Sequence, residues 1–212
     1  LAALCALPSL AAAATCPDRA PAPITAATAA GLECQEAIAK AGAKYLKAKL
    51  KTLSKCQATS APGECPTAAD TVKMEKAAAK AVLAINKACA ADTAQAGLAS
   101  SYAGLTDDGV IAACSLSQQS AAADVLIGNT HGLTGQDFWT SSATRATCIA
   151  ELNKQALKFT NKALKNAAKC LNAQAEAGTA GDLAPICVGA FSGGNFVAPS
   201  DAKTAKKQEK LI

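Results

Sequence analysis

The chain has 212 residues and a formal net charge of +5, and 50% of its residues are hydrophobic while only 3% are aromatic. This length is sufficient for one ordinary domain or two small ones. Alanine inflates the hydrophobic fraction but buries little area per residue. The shortage of aromatic and β-branched residues excludes a large sheet, so we predict an all-α fold with closely approaching helices.

The first stretch of the chain, residues 1–14, is typical of the end of a signal peptide. Its apolar run ends in three alanines, which predicts cleavage after Ala14 and a mature chain that begins at Thr15. The run is short and is broken by Pro8, so we expect no transmembrane span in the mature chain. Ten cysteines in an exported chain predict disulfides and a secreted or periplasmic location.

Residues 15–33 are rich in proline and alanine, which predicts an extended arm.

A long segment that begins after this arm occurs twice. The following segment from Cys34 to Cys56, CQEAIAKAGAKYLKAKLKTLSKC, matches the segment from Cys148 to Cys170, CIAELNKQALKFTNKALKNAAKC, without a gap. We interpret the match as an internal duplication of an amphipathic helix. The pattern resembles cysteine-framed helical repeats of exported bacterial proteins, a likeness that implies no activity.

Residues 34–92 are predicted to form a first helical hairpin module. The apolar positions of its first helix share one face with both cysteines. A turn containing proline and glycine follows at residues 57–66, and Thr67 with Asp70 resembles a capping box that opens a second helix ending near Ala91. The lysines of this second helix are expected on the side opposite its apolar positions: Lys73, Lys76, Lys80 and Lys87.

Helix geometry predicts how the cysteines pair. Cys34 and Cys56 are separated by about 33 Å on a straight helix, which is too far for a bond. An antiparallel hairpin instead places a disulfide at each of its ends, and the second copy is paired by analogy. The predicted pairs are Cys34–Cys89, Cys56–Cys65, Cys114–Cys148 and Cys170–Cys187. This leaves Cys16 as an odd cysteine, which either forms an intermolecular disulfide, is a reactive thiol, or indicates that one of the predicted pairs is wrong.

The middle of the chain separates the two copies. Residues 93–127 predict a connector with glycine and serine followed by a third helix, which Gly128-Asn129 ends. Residues 128–141 predict a glycine-rich loop that contains the only histidine, His131, and the only tryptophan, Trp139. Trp139 is interpreted either as an exposed platform for a sugar or partner, or as a buried ring between the two halves.

The second copy is predicted to be looser than the first. Residues 142–190 contain the second repeat helix and a short return segment around Cys187. Leu152 and Phe159 are expected on its apolar side, together with the two cysteines. Residues 191–212 are predicted to be a basic tail that buries little and is disordered or a frayed helix.

Rows of lysine on the two repeat helices are the most distinctive surface feature. The candidate binding residues are Lys40, Lys44, Lys47, Lys51 and Lys55 on the first helix, and Lys154, Lys158, Lys162, Lys165 and Lys169 on the second. Two interpretations stay open. The rows are solvated faces that keep alanine-rich helices soluble, or they contact a polyanionic or cell-envelope partner through their summed charge. No aromatic residues are interleaved for base stacking.

The sequence contains few patterns typical of catalysis. No CxxC motif occurs and no histidine lies near a cysteine, which argues against zinc, c-type haem and thiol redox chemistry. We therefore expect no cofactor and no metal. The expected function is that of an exported non-enzymatic structural or binding protein. The alternative is a small extracellular hydrolase-like enzyme with a site in residues 128–140, where His131 and Asp137 lie, although no GxSxG elbow accompanies them.

Overall fold

The structure is a computed structural model, and it describes residues 29–60, 64–90, 108–131, 143–179, 183–192 and 195–209. Their elements are α1 (Ala29–Thr59), α2 (Ala68–Cys89), α3 (Asp108–His131), α4 (Ala143–Glu176), α5 (Ala184–Cys187), β1 (Ala190–Ser192), β2 (Asn195–Val197) and α6 (Ala202–Glu209). The predicted predominance of helix is confirmed. The two short strands, which pair antiparallel with Phe191 opposite Phe196, were not expected.

Helix α1 is the centre of the described structure, because it contacts α2, α3 and α4. One buried cluster joins it to α2 and α3. Its members are Cys34, Ile38, Ala41, Tyr45, Ala81, Ile85, Cys89, Ile111, Ala112 and Leu116. Gly42 lies against the side-chain amide of Gln119 on α3, which occupies the space that a Cβ atom would fill.

A second buried cluster lies further along α1. It contains Leu46, Leu50, Leu53, Ala123 and Ile127, with Met74 and Leu157 packed at its edge. Within each cluster, the α1 members follow one another at spacings of three and four residues. This is the period that places side chains on one face of a helix. The apolar face predicted for the first repeat helix is therefore present and buried.

The start of α2 is capped as predicted. Thr67 precedes the helix in extended conformation and its hydroxyl oxygen accepts the amide hydrogen of Asp70 at 3.2 Å. The same hydroxyl donates to Asp70 Oδ2 at 2.7 Å. These bonds satisfy a backbone donor that the first helical turn otherwise leaves free. Asp70 takes the position of the usual glutamate of a capping box.

Two disulfides connect the ends of α1 and α2. Cys34 bonds Cys89 with their Cα atoms 4.8 Å apart, and Cys56 bonds Cys65 with a Cα separation of 5.8 Å. Since the first bridge joins the start of α1 to the end of α2, and the second joins the other two ends, the helices run in opposite directions. A third disulfide, Cys170–Cys187, joins α4 to α5. These three predicted pairs are present.

The predicted pair Cys114–Cys148 is wrong. Cys148 is a free and exposed thiol, whereas Cys114 is buried and disulfide-bonded. The other cysteines of the described residues are either bonded to each other or free, so the partner of Cys114 lies outside these residues. The prediction extended the pairing of the first copy by analogy. In the first copy the partner Cys89 lies on a helix that follows α1, whereas Cys114 lies on α3, which precedes α4. The predicted role of Cys16 also falls outside the described residues.

Corresponding positions of the two matched segments differ in burial. In α1, Cys34, Ile38 and Leu50 are 0%, 5% and 1% exposed. In α4 the matching Cys148 is exposed, and the matching Leu152 and Leu164 are 53% and 37% exposed. The predicted buried side of the second repeat helix is thus wrong at Cys148 and Leu152. Cys170, with 7% exposure, is buried as predicted.

Helix α3 extends beyond its predicted end. It continues through Gly128 and Asn129 to His131. A glycine inside a helix costs only about 1 kcal/mol relative to alanine, and the buried Ile127 anchors the preceding turn. The segment Gly109–Gly128, with a mean hydropathy of 1.3, is long and apolar enough to cross a membrane by length and composition. The core helix of a soluble protein meets the same criterion.

The segment expected to be a disordered or frayed tail is ordered between residues 195 and 209. Helix α6 begins after Asp201, whose carboxylate oxygen accepts the amide hydrogen of Thr204 at 2.7 Å. The amides of Ser200 and Asp201 donate to carbonyl oxygens of α5, and α6 contacts α4. Thr204 is buried. The prediction was wrong because it judged the segment by its basic composition and did not recognise Asp201 as a helix cap.

Candidate functional site

A groove lined by five lysines runs between α1 and α2. Its volume is about 630 Å³, and its lining residues are Ala37, Lys40, Ala41, Lys44, Tyr45 and Ala48 from α1 and Lys73, Lys76, Ala77, Lys80, Ala81 and Ala84 from α2. The residues of each helix recur at three- and four-residue spacing, so each helix contributes one continuous face. We call this feature the lysine groove.

The floor of the lysine groove is apolar and its sides are charged. Ala41, Tyr45 and Ala81 are each less than 10% exposed and belong to the cluster that holds α1, α2 and α3 together. All five lysines are exposed. Short alanine side chains leave space between the helices, while the long lysine side chains stand at both edges. The arrangement provides a concave surface with positive charge on two sides.

Within the described residues, carboxylates neutralise the two outer lysines of the groove and not the inner three. Lys40 Nζ lies 2.6 Å from Glu36 Oε1, and Lys73 Nζ lies 2.9 Å from Asp70 Oδ1. No ion pair within the described part of the chain includes Lys44, Lys76 or Lys80. Hydrogen bonds from the Thr67 hydroxyl and then from the Lys73 ammonium group lower the pKa of Asp70 below its usual 3.8.

The placement of these lysines costs helix stability. Lys40 and Lys44 are four residues apart on α1, and so are Lys76 and Lys80 on α2. Like charges at this spacing destabilise an isolated helix by about 0.2–0.5 kcal/mol per pair. Clustered positive charge on two adjacent helices also creates a local potential that attracts anions. An anion bound in the groove would reduce the repulsion among the lysines.

Only some of the lysines in the two predicted rows line the lysine groove. All ten lysines are exposed as expected of a solvated face. Of the first row, only Lys40 and Lys44 line the groove, whereas Lys47, Lys51 and Lys55 lie outside it. The second row, Lys154, Lys158, Lys162, Lys165 and Lys169, lies on α4 and takes no part in it.

Glutamate neutralises one end of the second row. Glu151 accepts a hydrogen bond from Lys154 at 2.9 Å, and this contact followed by one from Gln155 lowers the pKa of the Glu151 carboxyl. The five lysines of α4 project from a single helix. They line no part of the lysine groove, whose two walls are α1 and α2.

Three groove lysines were not recognised as candidate binding residues. Lys73, Lys76 and Lys80 are expected on the side of α2 opposite its apolar positions, but they also flank Ala77 and Ala81. Their spacing of three and four residues was visible in the sequence. What could have identified the groove is the pair of predicted disulfides, because these bring α2 beside α1.

Another charged residue of α1 has a structural role that the sequence analysis did not identify. Lys49 is 7% exposed and donates hydrogen bonds to Ser120 Oγ at 2.6 Å and to Asp124 Oδ2 at 2.7 Å. It also donates to the carbonyl oxygen of Ser120 at 3.1 Å. The signal for this contact was a lysine on the apolar side of α1 and an aspartate in a largely apolar helix. Lys49 therefore connects α1 to α3.

The other candidate residues are placed in part. His131 is the last residue of α3, and Trp139 and Asp137 lie outside the described residues. The hydrolase-like site expected in residues 128–140 thus falls mostly outside them as well. Within the described residues no group of three or more histidine, cysteine, aspartate or glutamate side chains is placed to hold a metal ion.

Comparison with known proteins gives no relative from which a function could be transferred. No family model, no curated protein and no solved structure matches the chain. The three disulfides are typical of proteins that fold in oxidising compartments.

Proposed function

We propose that this chain is an exported, non-enzymatic binding protein that contacts polyanionic surfaces through the face formed by α1 and α2. The observation that carries the proposal is the lysine groove, where Lys44, Lys76 and Lys80 lack carboxylate partners within the described structure. Their charge is available to an external anion. The five lysines of α4 serve in this proposal as a solvated face that keeps the helix soluble.

The scaffold supports a binding role because it fixes the lysines without a large core. We infer that α1 and α2 form a hairpin module joined at both ends, and that α4 with α5 is a second copy of its first part. In this proposal the duplication gives two amphipathic helices of the same design. The first copy forms the lysine groove, because α2 lies beside its helix α1. The disulfides favour a secreted or periplasmic location.

Retention on heparin resin and on vesicles containing anionic phospholipid tests the function. The protein with its disulfides intact is applied at low ionic strength and eluted with increasing salt. We expect retention that falls steeply with salt, because binding through several lysines releases counterions. Uncharged resin and vesicles of zwitterionic lipid serve as controls. Absent retention, or retention that salt does not change, would contradict the proposal.

A further inference from the structure

The order of the lysines along the groove indicates the shape of the ligand. The Cys34–Cys89 bridge sets the alignment of the two helices. Counting from it, Lys40 lies level with Leu83 and Lys44 with Ala79, so Lys80 falls between them. Lys76 and Lys73 follow beyond Lys44. The five lysines are thus ordered Lys40, Lys80, Lys44, Lys76 and Lys73 along the groove.

This order produces a linear array of positive charge. The first four lysines of the series alternate between α1 and α2. From Lys40 to Lys73 the array extends about 15 Å, calculated from the rise of a helix. A ligand along the groove would therefore meet a new ammonium group every few ångströms, from one side and then from the other. A chain with closely spaced negative charges matches this arrangement.

The distribution of counter-charges supports an occupant with several charges. The outer lysines, Lys40 and Lys73, already have carboxylate partners, while the inner three have none within the described residues. A ligand with a single anionic head, such as a fatty acid, would compensate only part of this inner group. A ligand with a charge on each repeating unit compensates all three. Charge complementarity thus favours a linear polyanion.

The floor of the groove excludes other classes of polyanion. Tyr45 is the only aromatic residue that lines it and is 8% exposed, so it offers no open face for base stacking. Packed helices have axes about 8–10 Å apart, which leaves no room between them for a nucleic-acid duplex. The floor presents mainly alanine side chains, which cannot form the directional hydrogen bonds that would select a sugar. A thin, unbranched chain fits best.

We propose that the lysine groove binds one extended strand of a condensed phosphate chain, with its phosphate oxygens between the ammonium groups of Lys44, Lys76 and Lys80. This inference rests on the proposed polyanion-binding function and assigns its ligand class. It differs from that function in placing the ligand within the groove rather than across a flat charged surface. Inorganic polyphosphate is the simplest probe of this chemistry.

Calorimetric titration with long-chain polyphosphate tests the inference in three proteins. The groove variant carries Lys44→Gln, Lys76→Gln and Lys80→Gln. Its matched control carries Lys158→Gln, Lys162→Gln and Lys165→Gln, which removes the same charge from exposed positions of α4. Circular dichroism verifies that both retain their helices. We expect the groove variant to bind at least about tenfold more weakly, with a salt dependence of log K less steep by about two.

The control variant should keep its affinity within about twofold of the original chain. Equal weakening in both triple variants would show that binding depends on overall charge and would overturn the groove assignment. An unchanged affinity in the groove variant would also overturn it. If the original chain binds heparin but not polyphosphate, the ligand class is wrong and the polyanion-binding function stands. If it binds neither, both are wrong.

A substitution that fills the groove without changing its charge tests whether the ligand lies inside the groove or contacts only its edges. Ala84 lines one end of the groove and is exposed, so a larger side chain is tolerated there. Ala84→Phe is expected to reduce polyphosphate affinity severalfold while leaving heparin retention intact. Polyphosphate affinity unaffected by Ala84→Phe would contradict a ligand inside the groove.

Discussion

A buried lysine connects helix α1 to helix α3. Lys49 projects from the apolar side of α1, and its ammonium group is surrounded by Ser120 and Asp124 of α3. Its exposure of 7% contrasts with that of Lys40 and Lys44, which lie on the same helix but in solvent. A buried charge is stable only when its donors are satisfied. Two lysines of one helix can thus have opposite roles.

Replacing Lys49 by alanine tests this role. We expect Lys49→Ala to lower the free energy of unfolding by about 1–3 kcal/mol, because the charged hydrogen bonds to α3 are lost. Lys51→Ala, at an exposed position two residues away, should change it by less than about 0.5 kcal/mol. Urea unfolding of both variants, with disulfides intact, measures the difference. Equal effects would show that Lys49 contributes no more than a surface lysine.

The cap of α2 makes stability depend on pH. The Thr67 hydroxyl and Lys73 lower the pKa of Asp70 from 3.8 in the folded chain. A carboxyl whose folded pKa is depressed stabilises the fold above its unfolded pKa, and this contribution is lost as the pH falls through the folded value. We therefore expect Asp70→Asn to destabilise the protein at neutral pH and to have little effect in strong acid.

Unfolding measurements on the original chain and on Asp70→Asn across the acidic range test the cap. The difference between the two free energies should shrink below pH 3.8. A second variant, Thr67→Ala, removes the largest cause of the shift, so NMR titration should show the pKa of Asp70 moving upward toward its usual value. A pKa that does not move, or a stability difference that is constant with pH, would contradict this account.

At the scale of elements, α1 and α4 show that the same pattern of residues does not ensure the same burial. Both carry cysteines at matching positions and lysines on one side. Helix α2 covers the apolar face of α1 near Cys34 and Ile38, whereas Cys148 and Leu152 of α4 are exposed. An amphipathic pattern indicates which face of a helix can be buried. Whether it is buried depends on the next element along the chain.

The two disulfides of the α1–α2 pair should contribute unequally. Cys34–Cys89 closes a loop with a sequence separation of 55, and Cys56–Cys65 one of 9. Restriction of the unfolded chain increases with loop length, and this predicts that the long bridge stabilises by about 1.6 kcal/mol more than the short one. Paired Cys→Ala variants of each bridge, compared by urea unfolding, measure the difference. Equal losses, or a larger loss for the short bridge, would contradict this account.

At the scale of the whole molecule, the disulfide framework is incomplete in its second half. The described residues contain one free cysteine, Cys148, and it is exposed. We expect a thiol-specific reagent to label Cys148 rapidly in the native protein, because the thiol is accessible. The bonded cysteines should remain unlabelled until a reductant is added.

Peptide mapping without reductant provides the decisive comparison. It should recover Cys34 joined to Cys89, Cys56 joined to Cys65, and Cys170 joined to Cys187. Cys114 should appear in a bridged peptide that does not contain Cys148. Recovery of a Cys114–Cys148 peptide would restore the pairing predicted by analogy and contradict the structure. Reduced and alkylated protein is the control for complete labelling.

The sequence by itself determined the features that depend on local chemistry. Alanine-rich periodic segments specified helices, and Thr67 specified the start of α2. The spacing of cysteines on straight helices specified the two disulfides between α1 and α2. Each of these follows from interactions between residues close in sequence or from the fixed rise of a helix. The exposure of the lysine rows follows in the same way from the position of each residue on its helix.

Only the tertiary structure decided which faces meet. It placed Lys73, Lys76 and Lys80 opposite Lys40 and Lys44, and so formed a two-sided groove from what sequence patterns present as separate rows. It buried Lys49 against Asp124, and it left Cys148 exposed although its counterpart Cys34 is buried. Contacts between distant segments depend on the neighbour that packs against a face, and periodicity along one helix carries no information about that neighbour.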